Sequence, residues 1–157
     1  MNTLGDAFTL ELHTTHLKPL GFKKTGRTFV RSHDGYTERF QLQGSAWNSP
    51  DHPWRFYLNC GITFEGLPRR KPDGNFPHTH AWMSGPLITA AAMPEYNITE
   101  KNLPSTIDQV AEVIRQCSDY FQRRHAILRD CYEHRRYHMG FLADPELRNA
   151  KVQPRSA

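Results

Sequence analysis

Histidine and cysteine are the side chains here best able to hold a metal or act as base and nucleophile, and the chain has nine of the first and three of the second. His78 and His80 are the closest pair that a loop could turn toward one ion. His13 and His16 are three apart, and His134 and His138 four apart, so each pair could share a helix face. A zinc site needs a third and usually a fourth ligand, with hydrogen-bonding partners behind them. No spacing marks those further ligands, and both helical pairs read as solvated side chains on polar surfaces. His33 and His52 fall in expected turns, so no metal site is assigned and no cofactor is implied.

Cys60, Cys117 and Cys131 lack the C-x-x-C spacing of zinc or redox sites. They read as reduced thiols, with Cys60 on an apolar strand face and Cys117 on an apolar helix stripe acting as small hydrophobic side chains. There is no G-x-S-x-G elbow, no H-E-x-x-H and no glycine-rich phosphate loop. No catalytic residue is assigned, and the pattern leans away from an enzyme.

A second group of residues points to recognition. Arg39, Gln41, Gln43 and Trp47 alternate along one stretch, and Arg55, Tyr57 and Asn59 along another. Together they combine hydrogen-bonding groups with aromatic rings, the mixture with which proteins grip partners or unstacked bases. A basic loop carrying Arg69, Arg70 and Lys71 follows.

The element that must position these residues is the stretch 54–64, where Trp54, Phe56, Leu58, Cys60, Ile62 and Phe64 are apolar at every second position. That is a strand with one buried face, and Arg55, Tyr57, Asn59 and Thr63 point the other way. Residues 27–32 and 37–47 read as a hairpin turned at Asp34 and Gly35. With those two as the loop, Arg31 faces Glu38, Phe29 faces Phe40, Thr28 faces Gln41 and Val30 faces Arg39. Placing Phe40 and Leu42 beside Leu58 and Cys60 makes an antiparallel meander with one apolar face and one polar face. Residues 80–89 are expected to add a fourth, broken strand.

Helices flank this sheet. Residues 6–18 carry Phe8 and Leu12 four apart and Leu17 five later, with Asp6 as the expected N-cap and Pro19 and Gly21 as the stop. From 105 to about 137 the period is helical. Thr106 and Gln109 read as a capping box, and Ile107, Val110, Ile114, Cys117, Phe121 and Leu128 as a stripe for the sheet. Arg123, Arg124 and His125 are expected to mark a bend between two helices.

At 157 residues, with 38% hydrophobic and 11% aromatic residues, the chain suits one small, aromatic-rich core. A formal charge of +4 permits an anionic partner without demanding one. Residues 1–12 contain Asp6 and Glu11 and no long apolar run, so neither a signal peptide nor a membrane anchor is expected there. A cytoplasmic location is expected, where the cysteines would stay reduced. We expect a single domain over 1–140 and a partly disordered tail over 141–157.

One family resemblance can be traced in particular residues. The run Leu17-Lys18-Pro19-Leu20-Gly21-Phe22-Lys23-Lys24, then Gly26-Arg27-Thr28-Phe29, Phe40-Gln41-Leu42-Gln43 and Phe56-Tyr57-Leu58-Asn59-Cys60-Gly61-Ile62 resembles the bacterial domain of unknown function 4304, chiefly over residues 8–64. The shared features are packing and turn residues. The resemblance implies a small cytoplasmic α+β protein of bacteria, and it supplies no catalytic residue.

The expected fold is α+β: two layers, with an antiparallel sheet of three or four strands and the N-terminal and C-terminal helices packed on one face. The expected function is a non-catalytic protein-binding or accessory module. Arg39, Gln41, Gln43, Trp47, Arg55, Tyr57, Asn59, Arg69 and Arg70 would form its binding face, and the partner would be another protein or a second copy. A nucleic-acid-binding module is the alternative. A hydrolase with a histidine-lined loop around His78 and His80 stands third.

Overall fold

The long strand is the centre of the molecule. A computed structural model of the chain describes residues 3–46, 48, 53–68, 79–84, 95–134 and 146. Strand β4 (Trp54–Phe64) pairs antiparallel with β3 (Tyr36–Gly44) along one edge. Its other edge pairs with β5 (Ala81–Ser84) and β6 (Tyr96–Ile98). Strands β2 (Thr28–Ser32) and β1 (Lys23–Thr25) continue the sheet beyond β3, in the order β1-β2-β3-β4-β5 with β6 on β4.

The alternation along β4 sets the layers. Trp54, Phe56, Leu58, Cys60, Ile62 and Phe64 are all buried, each about 1.5 to 3 kcal/mol of apolar transfer for a large side chain. Register carries that face across the sheet, since Phe40 lies opposite Cys60, Leu42 opposite Leu58 and Phe29 opposite Phe40. The hairpin pairing is as its two-residue loop requires, including Arg31 opposite Glu38 and Thr28 opposite Gln41. Gly35 takes φ 86°, which a side chain would strain.

Two helices cover the apolar face. Helix α1 (Thr3–Glu11) puts Phe8 against Phe56 and Trp54, with ring centroids 5.2 and 6.5 Å apart. Beyond α1, Leu12–Leu17 forms a π-helical turn. An i→i+5 turn keeps residues five apart on one side, so Leu17 joins Phe8 and Leu12 in the core. The unequal spacing of these residues therefore has a structural cause. A short 3-10 turn over Lys18–Leu20 then ends at Gly21, whose φ of 95° reverses the chain so that the Phe22 amide bonds the Leu17 carbonyl.

Helix α2 (Leu103–Glu133) lies on the same side. Its residues Ile107, Val110, Ile114, Cys117, Phe121 and Leu128 are buried, Phe121 packs 5.9 Å from the Phe40 ring, and the Cys117 sulfur lies 3.8 Å from that of Cys60. The Cys60 thiol is held well above its ordinary pKa by its hydrogen bond to Cys117 and by burial, so it stays protonated and inert.

The two-layer α+β architecture is the expected one, and the structure adjusts several details. Helix α2 begins at Leu103, not 105, with Asn102 at the N-cap position and Pro104 in its first turn; the Asn102 side chain makes no bond to the helix and closes the turn ahead of it, its Oδ1 accepting from the Thr99 amide and its Nδ2 donating to the Asn97 carbonyl. Thr106 lies inside the helix and is buried. No bend interrupts the helix at Arg123, Arg124 and His125. Asp6 falls within the first turn of α1 and pairs with Arg27, which stacks on Trp54. Among the described residues the sheet has six strands where three or four were expected. The additional β1 and β6 are three residues long, and β1 is an exposed edge whose Lys23 and Lys24 resist further pairing. The expected fourth strand is present as Ala81–Ser84, and residues 85–89 lie outside the described residues. Among the described residues no helix is long and apolar enough to cross a membrane.

Candidate binding face

Register places Arg39, Gln41 and Gln43 of β3 and Arg55, Tyr57 and Asn59 of β4 on the sheet face turned away from the helices. Gln41 lies opposite Asn59, and Gln43 opposite Tyr57. Trp47, Arg69 and Arg70 lie outside the described residues.

The hub of this face is Asn59, which is 0% exposed. Its Nδ2 donates to Gln41 Oε1 at 3.0 Å and to Gln43 Oε1 at 2.8 Å. Both amide hydrogens of Asn59 are thus spent on the glutamine oxygens. The glutamine Nε2 groups are left pointing elsewhere, with no acceptor among the described residues. Asn59 Oδ1 is enclosed and takes no donor from them.

Arg55 is fixed through its backbone. The Asn48 side chain acts as a substitute strand, accepting from the Arg55 amide and donating to its carbonyl, both at 2.7 Å. The Arg55 guanidinium makes no ion pair among the described residues, and the Tyr57 hydroxyl has no partner there. Arg39, which faces Gly61 and Val30, is engaged within the chain. The patch therefore presents a row of donors on rigid backbone: Gln41, Gln43, Tyr57 and Arg55.

The histidines are dispersed. His80 is 4% exposed, and both its ring nitrogens are spent on backbone: Nδ1 accepts from the Phe64 amide at 2.7 Å and Nε2 donates to the Leu67 carbonyl at 3.1 Å. Its ring packs between Phe64 and Tyr132. That is a structural role with no nitrogen to spare for a metal, and His78 lies outside the described residues. His13 Nε2 donates to the Phe22 carbonyl, and His16 joins the π-helical turn to Asp108 and Arg115 of α2. His134 pairs with Asp130, and His138 lies outside the described residues. Among the described residues no group of three or more His, Cys, Asp or Glu is arranged to hold a metal ion.

Sequence reasoning missed a second polar cluster, on the helix side. Glu38 is 0% exposed between sheet and α2. Its Oε2 accepts from Arg31 Nε at 3.0 Å and from His33 Nε2. Arg31 also donates to the Leu20 carbonyl at 2.8 Å and to Ser118 Oγ of α2, and lies 4.6 Å over the Phe22 ring. Tyr36 is stacked between His33 and His125, with centroids 4.5 and 4.3 Å away. Burial, then the Glu38 charge, raises the Tyr36 phenol pKa, with Arg31 pulling the other way. The signal was available in the sequence: the register that pairs Arg31 with Glu38 also puts Glu38 on the Phe40 face. His33 is accordingly part of a half-buried clasp around Glu38, where a turn residue of no special role was expected.

A family model described as a domain of unknown function, DUF4304, matches residues 13–122. That span runs from the π-helical turn through the whole sheet and into α2, and it extends well beyond the residues that carried the resemblance. No curated protein and no solved structure matches the chain. The chain belongs to the DUF4304 family.

Proposed function

We propose that this DUF4304 member is a non-catalytic binding or accessory module of the bacterial cytoplasm that takes a protein partner on the outward face of β3 and β4. One observation carries the reading: Asn59 draws the oxygens of Gln41 and Gln43 to itself and leaves their N–H groups, with Arg55 and Tyr57 beside them, without acceptors inside the described fold. Polar groups held rigid and left unpaired are ready for a partner at little ordering cost. Tyr57 and Arg55 are also residue types that anchor protein interfaces.

The test is a photo-crosslinking residue placed at position 57 and, as control, at Leu10, which is exposed on α1. The reading expects a distinct protein adduct from position 57 in the cells the chain comes from, and none from position 10. The same bands from both positions, or none from 57, would contradict it. A nuclease-sensitive adduct from 57 would replace the protein partner with a nucleic acid.

A further inference from the structure

Building on that reading of the outward face, we infer that the partner segment is an acidic peptide, whose carboxylates and backbone carbonyls accept from Gln41, Gln43, Tyr57 and Arg55. Three features of the face converge on this chemistry. In the amide cluster around Asn59, the two glutamine oxygens are bonded to Asn59 and Asn59 Oδ1 is enclosed, so Gln41 and Gln43 face outward as donors. No outward register position of the six described strands is Asp or Glu, so nothing on the strands competes with or repels an incoming carboxylate. The Arg55 guanidinium, a planar fork suited to carboxylate, springs from backbone held in place by the paired bonds of Asn48.

The same features disfavour a nucleic-acid strand. Phosphate binding rests on several cations that follow the backbone. Here the donors beside Arg55 are neutral amides and a phenol, and Arg39 is engaged within the chain. Neutral donors discriminate for geometry at short range, which suits carboxylates and carbonyls spaced along an extended peptide. Outward side chains two residues apart on β4 are separated by about 6.6 to 6.8 Å, the same repeat as alternate residues of an extended peptide.

The experiment measures fluorescence anisotropy of the full chain with labelled peptides of alternating glutamate and serine. Matched peptides carry glutamine or lysine in place of glutamate, and a short single-stranded DNA is the fourth probe. The inference expects the glutamate peptide to bind about tenfold tighter than the glutamine peptide, and Arg55→Gln to weaken it about tenfold. Asn59→Asp should abolish binding, because a carboxylate hub would take the glutamine N–H groups for itself. Arg55→Gln changes an outward side chain and keeps the test independent of how well the Asn59→Asp variant folds.

Equal binding of the glutamate and glutamine peptides, lost on Tyr57→Ala, would overturn the acidic class and leave the face standing. Glutamate-peptide binding that survives both Arg55→Gln and Tyr57→Ala would place the site elsewhere and overturn both readings. Tighter binding of the DNA would overturn the peptide in favour of nucleic acid. Failure of every probe would overturn the acidic inference, with the face itself judged by crosslinking at position 57.

Discussion

Two polar clusters occupy opposite faces of the sheet, the inner one joining β2 to β3 and the outer one β3 to β4, and each is built on a side chain with no exposure to solvent. On the helix side Glu38 gathers Arg31 and His33, and Arg31 goes on to the Leu20 carbonyl and to Ser118 of α2. The donors are spent tying the hairpin to the second layer. On the outward side Asn59 gathers Gln41 and Gln43, both from the neighbouring strand, and their remaining N–H groups find nothing among the described residues. Each hub keeps one buried oxygen without a hydrogen bond, Glu38 Oε1 and Asn59 Oδ1, but the inner cluster spends its donors closing the fold and the outer one leaves donors over. Burial of the central residue alone does not separate a structural cluster from a binding one; what its neighbours do with their remaining donors does.

The largest effect should come from the inner hub. Glu38→Ala leaves Arg31 and His33 without their shared acceptor, and urea unfolding should show a loss of about 3 to 5 kcal/mol. A loss no greater than that of the outer hub would erase the distinction between the clusters. Asn59→Ala should cost only about 1 kcal/mol, since the freed glutamine oxygens can turn to water. The stack over Glu38 gives a smaller, pH-dependent effect. The Tyr36 phenol has a raised pKa in the folded chain. Its contribution is therefore complete below about pH 10, the ordinary tyrosine value, and is lost as pH rises through the higher folded value. Tyr36→Phe should flatten that alkaline limb of the stability curve, and an unchanged limb would mean that another group sets it. The smallest effect belongs to the outer face: Arg55→Ala with Tyr57→Ala should leave stability within about 0.5 kcal/mol of the parent by the same urea assay. A loss several times larger would show that these side chains hold the fold together.

How far the sequence could be read followed from how local each determinant is. Strand β4 and the hairpin register were legible because alternation and a two-residue turn determine which side chains face the core and which face each other. The helical stripe of α2 was legible for the same reason. Its start was not, because the helix opens on Leu103 and Pro104 without a side-chain cap, and the Thr106 and Gln109 spacing that suggests a capping box lies inside it. Strand β1 has no apolar pattern of its own and β6 alternates over only three residues, so both depend on the edges that β2 and β4 offer. Glu38 was placed on the right strand face, yet its burial depends on α2 arriving from far along the chain. For the candidate site, periodicity identified the outward side chains of β3 and β4. It could not show Asn59 enclosed by amides, because that depends on the side-chain conformations of Gln41 and Gln43.

The most direct test of the difference between the clusters is nitrogen-15 NMR of side-chain amide exchange in the free protein. The account predicts slow exchange for the Asn59 Nδ2 hydrogens, which are bonded and enclosed, and fast exchange for the Nε2 hydrogens of Gln41 and Gln43. Slow exchange at the glutamines would mean that their donors are already spent inside the fold, and would contradict the reading of this face as a site waiting for a partner.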